Sequence, residues 1–207
     1  MNVKVPNHKY IEHIKQRGFE FVAGVDEVGR GALAGPVVVA AVILNQNDSI
    51  EGVKDSKLLS ENKRRILAKK IQQTAISISI GWSSSSEIDE LGITKAQQVA
   101  AIRALNNLSI PVTAIHLDGT YDYIGNGYDV TLLPKGDNLC LSIASASIIA
   151  KVYRDNFMKL NSSKYPEYDF LNNVGYGTKK HLDALKSSYS PLHRISFKGV
   201  LNEAGPL

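Results

Sequence analysis

Cysteine is all but missing from this 207-residue chain, where Cys140 stands alone. A lone cysteine excludes an internal disulfide framework and fits a reducing, cytoplasmic setting. Its place in an apolar run points to core packing rather than to a reactive thiol. Long hydrophobic runs are scarce as well. The longest, Val37 to Leu44, falls far short of the ~20 residues a membrane-spanning helix requires, so it reads as a buried strand. The opening residues, Met1-Asn2-Val3-Lys4-Val5-Pro6, lack the apolar core and small-residue cleavage site of a secretory signal, and export is not expected. His8, His13, His116, His181 and His193 show no metal-ligand spacing, and no Ser-His-Asp arrangement can be built from them. Internal repeats are absent, and no composition shift marks a domain boundary.

What is present is ordinary for a soluble globular protein: 43% hydrophobic and 21% charged residues supply a sizeable core. We read a single domain over 1–207, with a helical C-terminal segment at about 160–197 and a tail, 198–207, that is expected to fray. The net charge of +4 and a pI near 9.0 favour a polyanionic partner, although many soluble proteins share such a balance.

Periodicity supplies the elements. Residues Tyr10 to Arg17 suit a short amphipathic helix, and Phe19, Phe21 and Val25 lead into a first strand. Val37 to Leu44 forms a second, so that the two make an antiparallel hairpin around the glycine-rich loop between them. Ser60 caps a helix to about Gln73. Ile76, Ile78 and Ile80 alternate with Ser77 and Ser79, the period of a half-buried third strand. Ser83 to Ser86 reads as a polar loop. Helices follow at Glu87–Leu91 and from Thr94, the latter with Ala96, Val99, Ala100, Ile102 and Leu105 on one face. A fourth strand, Val112 to Leu117, delivers Asp118 at its end, where open sheets commonly bind ligands. A fifth, about Tyr128 to Leu133, precedes Asp137, which is placed at the N-terminus of an Ala- and Ser-rich helix over Asn138–Met158. Asn161 to Pro166 reads as a loop and Thr178 to Ser187 as the last helix.

The chemistry concentrates in Gly24-Val25-Asp26-Glu27-Val28-Gly29-Arg30-Gly31-Ala32-Leu33-Ala34-Gly35-Pro36. Neighbouring side chains on a regular strand point to opposite faces, so Asp26 and Glu27 can share a site only where the strand ends or bulges. Gly29 and Gly31 permit close approach to the main chain, and Arg30 offers a planar fork of donors for phosphate. With Asp118 and Asp137, four acids stand at element ends. An all-carboxylate set suits hard cations, Mg²⁺ or Mn²⁺, better than Zn²⁺, and two such ions can clamp an in-line phosphoryl displacement. Taken alone, each acid is equally readable as a helix cap or a surface charge.

The stretch GVDEVGRGALAGPVVVAAVIL resembles the signature of bacterial ribonuclease HII, the type 2 ribonuclease H family. Supporting stretches follow in order: Asp55-Ser56-Lys57-Leu58-Leu59-Ser60, His116-Leu117-Asp118-Gly119, Lys135-Gly136-Asp137 through Ser142-Ile143-Ala144 to Arg154-Asp155, Gly175-Tyr176-Gly177-Thr178, and His193-Arg194-Ile195-Ser196-Phe197. The resemblance implies an α/β, ribonuclease-H-like fold: a mixed central sheet of about five strands flanked by helices, with a helical C-terminal part. It implies that Asp26, Glu27, Asp118 and Asp137 bind Mn²⁺ or Mg²⁺ and carry catalysis. It implies that Gly29, Arg30 and Gly31 read the 2′-hydroxyl, that Tyr176 stacks on the sugar at an RNA–DNA junction, and that Ser56 and Lys57 lie near phosphates. The implied partners are RNA–DNA hybrids and DNA carrying embedded ribonucleotides, cut on the 5′ side of the ribonucleotide, by a monomer as the default state. Ala32, Leu58, Ser145 and Tyr153 depart from the family's usual residues, and the loop Thr120 to Asp129 lacks an expected proline; none of these removes an acid. The alternatives are another two-metal nuclease of the same fold, such as a junction resolvase or integrase-like protein, and a non-catalytic nucleic-acid-binding module.

Overall fold

A computed structural model describes residues 6–10, 16, 18–45, 47–125 and 127–202; the helix expected over Tyr10 to Arg17 lies largely outside the described residues. The expected hairpin forms. Strand β1 (Val22–Val28) pairs antiparallel with β2 (Val37–Ile43), in register from Ala23 opposite Ile43 to Val28 opposite Val38. β2 pairs antiparallel with β3 (Ser77–Ser83). On its other side β1 takes β4 (Ala114–Asp118) in parallel, and β4 takes β5 (Asp129–Leu133), also in parallel. The spatial order is β3-β2-β1-β4-β5.

Helices cover both faces, which explains why β2 is apolar at every position rather than alternating. Among the described residues the α-helices are α1 (Glu61–Thr74), α2 (Ser85–Leu91), α3 (Ile93–Asn106), α4 (Leu141–Ser162), α5 (Phe170–Asn173), α6 (Lys179–Leu185) and α7 (Lys198–Leu201), of which α3 packs on one face of the sheet and α1 and α4 on the other. Val37, Val39 and Ala41 pack with Ala96, Ala100 and Ala104 of α3. Val38, Ala40 and Val42 pack with Leu67 and Ile71 of α1 and with Ala144 and Ile148 of α4. The two-residue period of the strand thus sorts one run of valine and alanine between two cores. α4 lies so close to β1 that a Cβ on Gly24 would overlap the Ser142 backbone. A further cluster holds Met158, Tyr168, Phe170, Leu185 and Val200. Among the described residues no helix is long and apolar enough to cross a membrane.

Several expectations are corrected. The Ser83–Ser86 stretch is no loop: Ser83 ends β3, and Ser84 caps α2 in a reciprocal capping box with Glu87, a signal readable as Ser-x-x-Glu. On β3 the serine side is the deeper one, because Ser79 and Ser83 donate hydroxyl hydrogen bonds to the Ala104 and Ala96 carbonyls of α3. Asp137 sits not on the first turn of a long helix but in a separate 3₁₀ turn, Gly136–Asn138, ahead of α4. α4 itself runs on to Ser162, through the start of the expected loop. The tail does not fray at Lys198, since α7 forms there and buries Val200.

Candidate active site

The expectation that β1 must bulge or end at its two acids is half met. Pairing with β2 stays regular through Asp26, Glu27 and Val28, whereas pairing with β4 stops at Val25 opposite Leu117. Beyond that point the β4 side of β1 is open, and Asp118, the last residue of β4, stands beside the gap. Asp26 belongs to the face covered by α4, which carries Ser147; the Ser147 hydroxyl works to lower the Asp26 pKa. Glu27 belongs to the face covered by α3 and takes a hydrogen bond on Oε2 from the Tyr123 hydroxyl at 3.3 Å.

Each acid is held by a local donor. The Glu27 amide donates to Asp26 Oδ1 at 2.7 Å, the Gly136 amide to Asp118 Oδ1 at 2.6 Å, and the Asn138 side-chain amide to Asp137 Oδ1 at 2.8 Å. The Gly136 bond ties the 3₁₀ turn that carries Asp137 to the end of β4. Burial, then the charges of Glu27 and Asp118, hold the Asp26 carboxyl well above the usual carboxylate range. Burial and then Asp118 raise Glu27; burial, then Asp55 and Asp118, raise Asp137. Burial alone would lower the Lys57 ammonium, but Asp55, Asp137, Asp26 and Asp118 together outweigh it and raise its pKa. One exposed lysine therefore feels the acids of three separate elements.

Asp55, not singled out by sequence reasoning, belongs to this electrostatic group and also caps the 3₁₀ turn at Ser56–Leu58 through the Lys57 amide, 2.9 Å from Oδ1. Ser56 turns inward: it is 2% exposed, and its hydroxyl meets that of Ser147 at 2.9 Å. Its reach is to the serine beneath Asp26.

Among the described residues no three acids, histidines or cysteines are drawn together closely enough to form a ready-made metal cage. The donor chemistry nonetheless suits a hard divalent cation. Asp26, Glu27 and Asp137 each have a raised carboxyl pKa with the charge of Asp118 among the causes, and every candidate ligand is oxygen.

Beside the acids, the turn after β1 exposes Arg30 and Gly31 while burying Gly29. Gly29 has φ +94°, and a Cβ there would overlap Arg154 Nε and lie 2.8 Å from the Pro36 carbonyl. Two buried arginines hold this turn without a carboxylate. Arg154 donates to the Pro36, Val174 and Ala34 carbonyls at 2.9, 2.8 and 2.9 Å. Arg194 donates to the Arg30 and Gly35 carbonyls at 3.0 Å and, through a second nitrogen, to Gly35 again at 2.8 Å; burial and then Arg154 push its pKa down to about 9. Sequence reasoning quoted both residues without a role, because nothing local distinguishes a buried arginine from a surface one.

The Gly175-Tyr176-Gly177 segment joins the turn by main-chain bonds from Leu33 and Ala34 to the Gly175 carbonyl, at 2.9 and 3.2 Å. Tyr176, 38% exposed, lies over the Arg154 guanidinium at 5.4 Å, which leaves ring surface available for stacking. Beneath it His181 Nδ1 meets the Tyr176 carbonyl at 2.9 Å, and His181 Nε2 meets His193 Nε2 at 2.9 Å. His193 Nδ1 accepts from the Ser190 amide at 2.8 Å, so the network assigns neutral rings that relay hydrogen bonds to the tyrosine's backbone.

Known proteins resemble this chain over most of its length. A family described as Ribonuclease HII matches residues 23–200. A protein named Ribonuclease HII from Listeria monocytogenes serovar 1/2a is 47% identical over 193 residues, 93% of this chain and 73% of the relative. Another of that name, from Clostridium perfringens strain 13, is 50% identical over 188 residues, 88% of this chain and 69% of the relative. Among solved structures, the ribonuclease H2 from Pyrococcus horikoshii OT3 superposes with a TM-score of 0.77 at 28% identity, covering 88% of this chain and 96% of that one.

Proposed function

This chain belongs to the ribonuclease HII family and is an endonuclease of the ribonuclease H type, from which premise we propose that it hydrolyses the RNA strand of RNA–DNA hybrids and cuts 5′ of single ribonucleotides embedded in duplex DNA. The products carry 3′-hydroxyl and 5′-phosphate ends. Asp26, Glu27, Asp118 and Asp137 hold the divalent cations, Mn²⁺ or Mg²⁺. When bound, these ions supply Lewis acidity to the scissile phosphate and a lowered pKa to a coordinated water.

The chain's own residues do the remainder. Lys57, kept charged by the surrounding acids, meets a phosphate of the substrate backbone. Ser56 acts through Ser147 to orient Asp26. Arg30 and the exposed main chain at Gly31 face the ribose, where the 2′-hydroxyl is the group that distinguishes RNA from DNA. Tyr176 stacks on the adjoining deoxyribose. The observation that carries the reading is the raised pKa of three acids from separate elements beside an exposed Gly-Arg-Gly turn. The nearby cations Arg30 and Lys57 lower Glu27 and Asp137 but do not outweigh burial and the neighbouring acids.

The test is cleavage of three duplexes in Mn²⁺ or Mg²⁺: one with a single ribonucleotide, one with an all-RNA strand, and a DNA four-way junction. We expect cuts in the first two only, lost in Asp26→Asn with the fold retained. Cleavage by that variant within a few-fold of wild type would remove Asp26 from the metal centre, and cleavage of the junction alone would favour a resolvase.

A further inference from the structure

The segment that leads into Tyr176 holds a conformation its own residues disfavour. Val174 has φ +44° and Gly175 φ +89°, and the left-handed region is one that a β-branched residue avoids. Main-chain ties hold it there: Arg154 Nη1 donates to the Val174 carbonyl at 2.8 Å, and the Gly175 amide donates to Asn173 Oδ1 at 2.8 Å. The Tyr176 carbonyl takes one bond from the nearby Thr178 amide at 2.8 Å and a second from His181 of α6 at 2.9 Å. That second bond ends a longer series, whose direction its first donor sets. The Ser190 N–H donates to His193 Nδ1 at 2.8 Å, so the proton of the neutral His193 ring sits on Nε2. It faces His181 Nε2 at 2.9 Å, which must accept, and the His181 proton is left on Nδ1 for the Tyr176 carbonyl. Both rings are buried and packed edge-on, His193 against Tyr168 and His181 against Phe170, with centroids 4.5 and 5.4 Å apart.

The loop that supplies His193 is itself fastened to the Gly-Arg-Gly turn. The Gly35 amide donates to the Leu192 carbonyl at 2.8 Å, and the Arg194 amide to the Leu33 carbonyl at 2.9 Å. The Arg194 side chain grips the Arg30 and Gly35 carbonyls. The Thr178 bond fixes Tyr176 relative to its neighbours in sequence, whereas the histidine series fixes it relative to the turn. We infer that His181 and His193 are positioning residues for substrate discrimination, setting Tyr176 against the Gly29-Arg30-Gly31 turn so that ring and turn meet the two sugars of one RNA–DNA junction together. The inference rests on the reading of Tyr176 as the residue that stacks at that junction. Such a contact is sensitive to placement, since a shift of about 1 Å originating far from the chemistry can cost about 10²-fold in rate.

The experiment measures kcat/KM on a duplex with one ribonucleotide and on a continuous RNA–DNA hybrid, at saturating Mn²⁺, and reads the ratio of the two. Matched pairs of variants separate the hydrogen bond from the packing. His181→Leu and His181→Asn both remove the ring, but the asparagine amide keeps a donor near the Nδ1 position. His193→Met and His193→Gln differ in the same way at Nε2. Thermal melts accompany each variant. We expect His181→Leu to lower the ratio about two- to tenfold, the worth of one hydrogen bond, and His181→Asn to keep the wild-type ratio even where its Tm falls as far. His193→Met should lower the ratio less than His181→Leu, and His193→Gln should restore it. In a Tyr176→Ala background His181→Leu should change the ratio no further, because it acts through that residue. If Tyr176→Ala loses equally on both duplexes, the junction reading falls and the inference with it. If Tyr176→Ala lowers the ratio while a folded His181→Leu keeps it, the junction reading stands and the positioning role is refuted. Equal ratios in His181→Leu and His181→Asn would assign the histidine to packing, which also refutes it. Should His181→Leu not melt cooperatively, the His193 pair decides alone, and equal ratios there refute the inference.

Discussion

The glycines of the Gly29-Arg30-Gly31 turn have different jobs, and alanine substitution separates them. Gly29 has φ +94°, where an L-residue costs about 1–2 kcal/mol. A methyl there would also overlap Arg154 Nε. Arg154 cannot swing aside freely: it is 0% exposed and is held by the Pro36, Val174 and Ala34 carbonyls. Giving up one such charged hydrogen bond costs about 1.5–3 kcal/mol, so Gly29→Ala should destabilise the protein by about 3–5 kcal/mol. For a domain of this size each kcal/mol lowers Tm by about 2–4 °C, which makes the expected drop about 6–20 °C by calorimetry. At Gly31 a Cβ would have nothing within 4 Å, and surface changes of that kind stay within about 0.5 kcal/mol. Gly31→Ala should therefore keep the wild-type Tm yet cut cleavage of a duplex with one ribonucleotide by about tenfold or more, a transition-state loss of about 1.4 kcal/mol, since the methyl enters the space where the ribose approaches. A Gly29→Ala melt within 2 °C of wild type (about 1 kcal/mol at most) would refute the rigid Arg154 cage. Full activity in Gly31→Ala would remove that residue from the ribose contact.

Three further outcomes are expected. His116 and His193 are buried neutral, with burial pushing each from 6.5 down to about 4; because the folded pKa lies below the unfolded one, their stabilisation is complete above about pH 6.5 and is lost as pH falls toward about 4. At pH 5 each should cost about 2 kcal/mol, so urea melts of His116→Leu should show a shallower fall between pH 7 and 5 than wild type, and parallel curves would mean that His116 carries no such penalty. Lys57→Ala should reduce the salt slope of duplex binding by about 1, one phosphate contact fewer; an unchanged slope in binding titrations would remove Lys57 from the phosphates. Tyr176→Ala should lose about 1–3 kcal/mol of stacking on a duplex with one ribonucleotide, and less on a continuous hybrid that offers many registers. Equal losses in initial rate on both would assign Tyr176 to the fold.

Local signals in the chain were sufficient for the five strands and the longer helices. Val37 to Leu44 has no polar residue and so had to be a strand covered on both faces; Ser60 ahead of the α1 run had to cap a helix; the alanine stripe of α3 had to lie on a sheet. The acids were legible as candidates for the same reason, since Asp118 ends an apolar strand and Asp26 and Glu27 lie near the end of another. Where a local signal was overlooked, as with the Ser84–Glu87 capping box, the information was present in the spacing. What residue order by itself could not determine is which distant groups meet. That Asp26 and Glu27 stay on opposite faces depends on pairing with β2 remaining regular through both, and that the β4 side of β1 opens beside them depends on where pairing with β4 stops. That Ser56 points inward, that Arg154 and Arg194 grip carbonyls of one turn, and that Gln97 takes a hydrogen bond from Arg30 all depend on burial. Desolvation converts an ordinary polar side chain into one that must find a partner, and only the packed structure decides which partner lies within reach.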